Sequence, residues 1–177
     1  MRIEVIDESA VTPDLDTAIR RTLVVCFPHS AGVFGQSRCW RGNRPLWSIV
    51  ARAGVVAAHV AVIDRTIRVG EETVRVAGVG NVCALPEYRK TGLIDKVLAS
   101  AAQETRRRGF DLGLLFCRER VKEVYFRNGW IEAAGRAFVR VENGIETEMP
   151  PENLRLYLPL RLSGLPAGRV HLQGDRW

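Results

Sequence analysis

A mixed α/β (α+β) fold is predicted by three features of this 177-residue sequence. Three β-rich segments, LWSIVARA, GVVAAHVAVIDRTIRV and TVRVAGVGNVCAL, follow one another with glycine-containing breaks, the pattern of a meander. Next, LPEYRKTGLIDKVL, residues 85–98, reads as a strand end entering a helix through a basic, glycine-containing turn. Finally, DLGLLFC is a short, almost wholly apolar run, as expected of a buried strand covered on both faces. Together they predict a single mixed, mostly antiparallel sheet flanked by helices, with a central βαβ unit whose crossover is right-handed.

The elements follow in order. RIEVID is a first strand, and TPDLDTAIRRTLVVCF a helix opened by Thr12 and Pro13, a capping residue and a residue suited to the first turn. The stretch from Pro28 to Pro45 mixes glycine, proline, arginine and tryptophan without a period, which predicts a functional loop with short helical turns. After the meander, Leu93, Ile94, Val97, Leu98, Ala101 and Ala102 place one apolar face on a helix from about Gly92 to Arg108. ERVKEVYFRNGW is a second helix, stopped by Asn128 and Gly129, and WIEAAGRAFVRVE and LRLYLPLRL are two further strands. Residues 1–177 are expected to form one domain, with a C-terminal strand or tail over 164–177.

Composition narrows the function. An apolar share of 46% supports a real core. The start carries acids where a secretory signal needs an apolar run, and the longest apolar stretch, AGVVAAHVAVI, is too short to cross a bilayer, so a cytoplasmic protein with no membrane partner is expected. Cys26, Cys39, Cys83 and Cys117 form no CxxC pair and no metal-ligand spacing with His29, His59 or His171. Buried free thiols, and no metal, are expected. The net charge of +6, with 23 of 26 basic residues arginine, favours anionic partners. No nucleic-acid-binding signature is present, so the expected partner is a phosphorylated small molecule rather than nucleic acid.

The basic turn is the place for it. A helix that starts directly after a strand aims unpaired N–H groups and its positive dipole end at the turn. Arg89 and Lys90 add charge, and Gly92 removes a side chain from the approach. The turn suits a pyrophosphate; neither GxxxxGK[ST] nor GxGxxG occurs there.

YRKTGLI after a strand, followed later by VYFRNGW, resembles the acyl-CoA-binding loop and tyrosine-bearing fourth helix of the GNAT superfamily of N-acetyltransferases. Arg89 and Gly92 match its Q/R-x-x-G-x-G/A loop, and Ile94 stands where the last small residue is usual. The resemblance covers about residues 2 to 162. It implies the GNAT fold, acetyl-CoA as acyl donor, a small amine as acceptor and a homodimer as a possible assembly. It implies that the backbone of Val82, Cys83 and Ala84 pairs with pantetheine, and that Arg89, Lys90, Thr91, Gly92, Leu93 and Ile94 hold the coenzyme A pyrophosphate. GVVAAHVAVIDRTIRVG and the ending LPAGRVHLQGDRW are similar to aminoglycoside 2′-N-acetyltransferases and to nodulation-factor N-acyltransferases, both of which modify a sugar amine.

Direct transfer needs an N–H donor for the oxyanion and an acid for the leaving thiolate. Gly78 and Gly80 are expected to form a bulge that exposes the amides near Val82 and Cys83. Tyr125, at the position of the usual GNAT tyrosine, is the expected acid, because a phenol can protonate a thiolate. Asn81 is expected to position a water, and His59 reads as a packed, hydrogen-bonded strand residue. For the acceptor, the acid-free loop with Arg38 and Trp40, together with Trp177, predicts an amine that also carries an anion or sugar hydroxyls rather than a polycation. Transfer to a small amine or amino sugar, transfer to a protein, and acyl-CoA sensing without catalysis are the three readings the sequence leaves open.

Overall fold

The computed structural model describes residues 1–177, which divide into two compact units: Met1–Ile63 with Val79–Glu104, and Asp64–Gly78 with Thr105–Trp177.

The first unit opens with β1 (Arg2–Asp7) and α1 (Pro13–Cys26). Thr12 caps α1 by accepting from the Leu15 N–H at 3.3 Å, Pro13 occupies its first turn, and Asp14 and Asp16 complement the positive helix end. Leu15, Ile19, Thr22 and Leu23 form its buried face. The predicted loop contains a 3₁₀ turn (Pro28–Ser30), a one-turn α2 (Ala31–Phe34) and a second 3₁₀ turn (Trp40–Gly42) in which Arg41 is left-handed (φ 50°). β2 (Trp47–Ala53) pairs antiparallel with β1, Ile3 opposite Ala51, and with the first part of β3 (Val55–Val69), Val50 opposite His59. The last part of β4 (Glu72–Ala84) leads through a 3₁₀ turn (Pro86–Tyr88) into α3 (Leu93–Arg107). Leu93, Val97, Leu98 and Ala101 are each at most 3% exposed, the apolar stripe read from the sequence. Each such aliphatic side chain removed from water contributes about 1.5–3 kcal/mol.

In the second unit β5 (Leu112–Cys117) lies parallel to β4, Ala77 opposite Gly113, which is the expected βαβ connection. α4 is a five-residue helix (Lys122–Phe126) preceded by a 3₁₀ turn (Glu119–Val121). β6 (Ile131–Glu132), β7 (Phe138–Glu142), β8 (Ile145–Glu148), β9 (Leu154–Pro159) and β10 (Val170–His171) complete the chain. The order is β6-β9-β5-β4-β3-β10-β7-β8; β10 is parallel to β7 and antiparallel to β3, and the pairs β5–β9, β6–β9 and β7–β8 are antiparallel.

Two differences from the sequence reading have local causes. The segment 130–142 is two strands rather than one, because Gly135 (φ 69°) turns the chain between β6 and β7. The β7–β8 hairpin was not expected; it turns on Asn143 (φ 52°) and Gly144 (φ 79°), an Asn-Gly pair with the left-handed angles of a tight hairpin. Gly113 answers to packing, since a Cβ there would lie 3.0 Å from Trp130 Cη2 and 3.1 Å from Leu158 Cβ. The indole of Trp130, itself 5% exposed, therefore lies flush on β5 only because residue 113 has no side chain.

Candidate functional site: a strained strand residue and a basic turn

β4 is extended except at Asn81, the one residue of the strand with a left-handed backbone (φ 50°). Gly78 and Gly80, expected to supply the irregularity, do not take positive φ. Asparagine tolerates this region better than most residues, and its surroundings hold it there. Its carbonyl oxygen lies 3.2 Å from His59 Nδ1, and its side-chain Nδ2 donates to the Arg38 carbonyl at 3.0 Å.

His59 is fully buried, with Nε2 3.2 Å from Ser48 Oγ. A carbonyl can only accept, so Nδ1 carries the proton and Nε2 accepts from the Ser48 hydroxyl. Burial, the largest effect, pushes the His59 pKa down to about 4, with the Arg38 charge acting the same way against the Asn81 bond. The ring is neutral at pH 7 and matches the packed, hydrogen-bonded histidine read from the sequence.

Arg38 is 5% exposed and lies between two carboxylates, Nη2 on Glu8 Oε1 at 2.7 Å and Nε on Asp16 Oδ1 at 2.7 Å. Burial alone would lower its pKa, but the bonds to Glu8 and Asp16 outweigh it and the net shift is upward. For Asp16 burial acts upward and is outweighed by the bonds from Arg20 and Arg38, so its carboxyl is held below the usual range. Arg38 Nη1 and Glu8 Oε2 are buried and make no hydrogen bond. The loop that carries no acid of its own thus receives acids from β1's end and α1. Trp40 stacks on Phe34 at 5.6 Å and 28°, and its carbonyl accepts from the Asn43 N–H at 2.9 Å.

Val82 is half-buried, and Cys83 and Ala84 are buried. Beyond them Leu85 N–H donates to the Ala57 carbonyl at 2.9 Å, anchoring β4 before the turn. Lys90 (φ 62°) and Gly92 (φ 76°) are left-handed, Thr91 Oγ1 donates to the Tyr88 carbonyl at 2.7 Å, and Arg89 to Gly92 are exposed. A Cβ on Gly92 would meet no protein atom within 4 Å, so glycine serves the backbone angle and leaves open space beside the α3 amides. The Lys96 N–H bonds the Gly92 carbonyl at 3.2 Å, which places the amides of Gly92, Leu93 and Ile94 before the first intrahelical bond. The residues fit a pyrophosphate: consecutive amides, a helix start, two cations and no covering side chain.

Arg38, Trp40, Asn81, Val82–Ala84 and Arg89–Ile94 all belong to the first unit, whereas Tyr125 and Trp177 belong to the second. Tyr125, 9% exposed, meets Trp130 edge-on at 6.2 Å, and Gly129 (φ 81°) ends its helix. Trp177, 9% exposed, packs on Phe116 at 5.2 Å under the Arg65 guanidinium at 5.4 Å, and its buried Nε1 makes no hydrogen bond. The tail before it is tied by Gly174 O to the Val141 N–H (2.9 Å) and by Asp175 to Arg140 (3.2 Å). Glu8, Asp16, Ser48 and Cys26 were not singled out from the sequence; only the i, i+4 spacing of Asp16 and Arg20 carried a local signal. Nowhere do three or more His, Cys, Asp or Glu side chains gather to hold a metal, and no helix is long and apolar enough to cross a membrane.

Residues 5–156 match the profile of the family described as nodulation protein A (NodA). An aminoglycoside 2′-N-acetyltransferase of Mycolicibacterium fortuitum is 26% identical over 162 residues, covering 89% of this chain and 79% of that one. Among solved structures, the GNAT family N-acetyltransferase YhbS from Escherichia coli, in complex with CoA, aligns at TM-score 0.68 and 19% identity over 98% of this chain and 91% of that one. An acyl-CoA N-acyltransferase from Pseudomonas aeruginosa aligns at TM-score 0.62 and 15% identity, over 89% and 99%. At these identities the structures share a fold with this chain, and that fold is GNAT.

The neutral His59 sets a pH dependence. Its folded pKa, about 4, lies below the ordinary 6.5, so the unfolded chain takes up a proton first and stability present above pH 6.5 is lost as pH falls toward 4. The expected loss is roughly 3 kcal/mol across that window. Urea unfolding at a series of pH values should show this slope in the native protein and a flatter one in His59→Gln, whatever the variant's absolute stability.

Proposed function

Since the chain belongs to the NodA family and is a GNAT-type acyltransferase, we propose that it transfers an acyl group from acyl-CoA to the primary amine of a small molecule, with an amino sugar as the favoured acceptor. The observation that carries this reading is the exposed Arg89–Gly92 turn at the start of α3, directly after the irregular end of β4. In it, Arg89 to Ile94 bind the pyrophosphate through amides and charge, and the backbone of Val82, Cys83 and Ala84 pairs with pantetheine. The parallel register of β4 with β5 ends at Gly78, and β4 continues for six residues beyond it, which supports that pairing.

In the proposed reaction the free amine attacks the thioester carbonyl, its C–N bond forms, and the carbonyl oxygen takes up negative charge. An amide at Val82 or Cys83, oriented by the turn of the chain at Asn81, stabilises that oxyanion. The C–S bond then breaks, and Tyr125 gives its phenolic proton to the departing thiolate while the ammonium proton passes to solvent. Asn81 orients water for that last step. No strong base is needed when the amine reaches the site unprotonated.

The acceptor reading shifts in emphasis from anion to hydroxyls. Glu8 and Asp16 compensate the Arg38 charge within the chain, so the loop does not present a bare cation. Arg38 and Trp40 are proposed to line the acceptor position, and an uncharged polyhydroxyl amine suits such a charge-balanced wall better than a polycation or a polyanion. The match to an aminoglycoside 2′-N-acetyltransferase supports a sugar amine.

Gly92→Asp is expected to weaken coenzyme A binding by more than ~2 kcal/mol, about thirtyfold, by placing a carboxylate where phosphate meets amides; titration calorimetry on the folded variant checks this. Tyr125→Phe is expected to lower kcat by about a hundredfold with coenzyme A affinity nearly unchanged, because only the transition state uses the hydroxyl; single-turnover kinetics with the native protein alongside decide it. A parallel assay of neutral amino sugars, kanamycin-type aminoglycosides and anionic amines is expected to rank the amino sugars first by kcat/KM. Turnover only on peptide amines would replace this reading with a protein acetyltransferase, and coenzyme A binding without turnover on any amine would replace it with a sensor.

A further inference from the structure

Cys26 is the last residue of α1, and Cys83 lies in β4 two residues after Asn81. Both touch one apolar cluster with Ile19, Leu23, Phe34 and Val50. Cys26 Sγ reaches the backbone of Ala84, next to Cys83, and the two thiols act on each other's ionisation. Cys26 Sγ donates to the Ala84 carbonyl at 3.3 Å, and Arg89 Nε donates to the same oxygen at 3.3 Å. The Cys26 thiol and the first cation of the basic turn therefore converge on one carbonyl, that of the residue next to Cys83.

The two thiols are unlike. Cys26 is half-buried and can be reached from solvent, whereas Cys83 is 7% exposed. The Cys83 S–H is the largest influence on Cys26; with the Arg89 guanidinium it outweighs burial and Glu87 and holds the Cys26 pKa below the usual thiol range. Cys26 in turn, with burial, pushes the Cys83 thiol well up. Cys117 is pushed to about 11 by burial, with Glu119 and Glu132 nearby. Among these, Cys26 has the thiolate character and access of an attacking sulfur, and Cys83 stands behind it as a resolving partner.

We propose that Cys26 and Cys83 are a peroxide-sensitive pair that closes into a disulfide beside the coenzyme A turn. The Cys26 thiolate attacks one oxygen of a hydroperoxide; the O–O bond breaks, Cys26 becomes a sulfenic acid, and hydroxide or alkoxide leaves. The Cys83 sulfur then attacks the sulfenic sulfur, the S–S bond forms, and the sulfenic oxygen leaves as water with the Cys83 proton. Two thiols are oxidised by two electrons and the peroxide is reduced by two. Closure draws the two sulfurs to a bond of about 2.05 Å. It also removes the Cys26 donor from Ala84 and the sulfur from Arg89, so β4 shifts at Cys83 and Ala84. The consequence for coenzyme A rests on the reading of this strand and turn given above.

Reduced protein is treated with hydrogen peroxide, followed by intact mass, non-reducing tryptic mapping and coenzyme A titration. The expected result is a mass lower by about 2 Da, a cross-linked peptide joining Cys26 to Cys83, and coenzyme A affinity reduced about fivefold or more and restored by dithiothreitol. Cys26→Ser is expected to bind coenzyme A as the reduced native protein does and to keep that affinity through peroxide. Oxidation that stops at a sulfinic acid on Cys26, or a cross-link to Cys39 or Cys117, overturns the pair. A Cys26–Cys83 cross-link with unchanged affinity overturns its effect on the turn. Failure of the reduced native protein to bind coenzyme A instead removes the coenzyme reading, and the peptide map still decides the disulfide.

Discussion

The backbone of Asn81 is the constraint on which the site is built. A left-handed non-glycine residue inside a strand costs on the order of 1–3 kcal/mol and persists only where its neighbours over-determine it. Here the determination comes from two sides: His59 Nδ1 holds the carbonyl oxygen and the Arg38 carbonyl holds the side-chain amide. The left-handed turn at Asn81 is thus contacted by residues in β3 and in the loop after α2.

His59 and Arg38 are in turn specified by what lies behind them. Ser48 in β2 fixes the histidine tautomer, and burial keeps the ring neutral, so its Nδ1 is a reliable donor through physiological pH. Arg38 is buried with its charge matched by Glu8 and Asp16, and only the loss of both carboxylates would leave an uncompensated guanidinium in the interior. The network runs from β1's end through α1 and the loop to β4, and it is satisfied except at Arg38 Nη1 and Glu8 Oε2.

The same strand gathers a second chemistry within a few residues. Cys83 and Ala84 join the strand end, the α1 terminus and Arg89 through Cys26. One carbonyl oxygen thus links the end of β4 with the end of α1 and the basic turn. The conformational demand at Asn81 and the sulfur contact at Cys83 lie on a segment whose backbone is anchored at Leu85, which limits how far a change at one travels without the other.

Periodicity alone determined the strand meander, the capped α1, the apolar stripe of α3 and the basic turn, because each is written in residues close together in the chain and governed by local geometry. The Asn143–Gly144 hairpin was equally local and was legible from that pair. Tertiary structure alone decided the rest. Arg38 meets Glu8 and Asp16 across separations of 30 and 22 residues, and Cys26 meets the Ala84 carbonyl across 58. A loop without acids looked cationic because charge compensation acts through space, and the left-handed Asn81 was not read from β4 because its partners, His59 and Arg38, come from other elements. Composition and spacing report what a segment can adopt; which of its polar groups are already answered depends on the partners that folding brings to them.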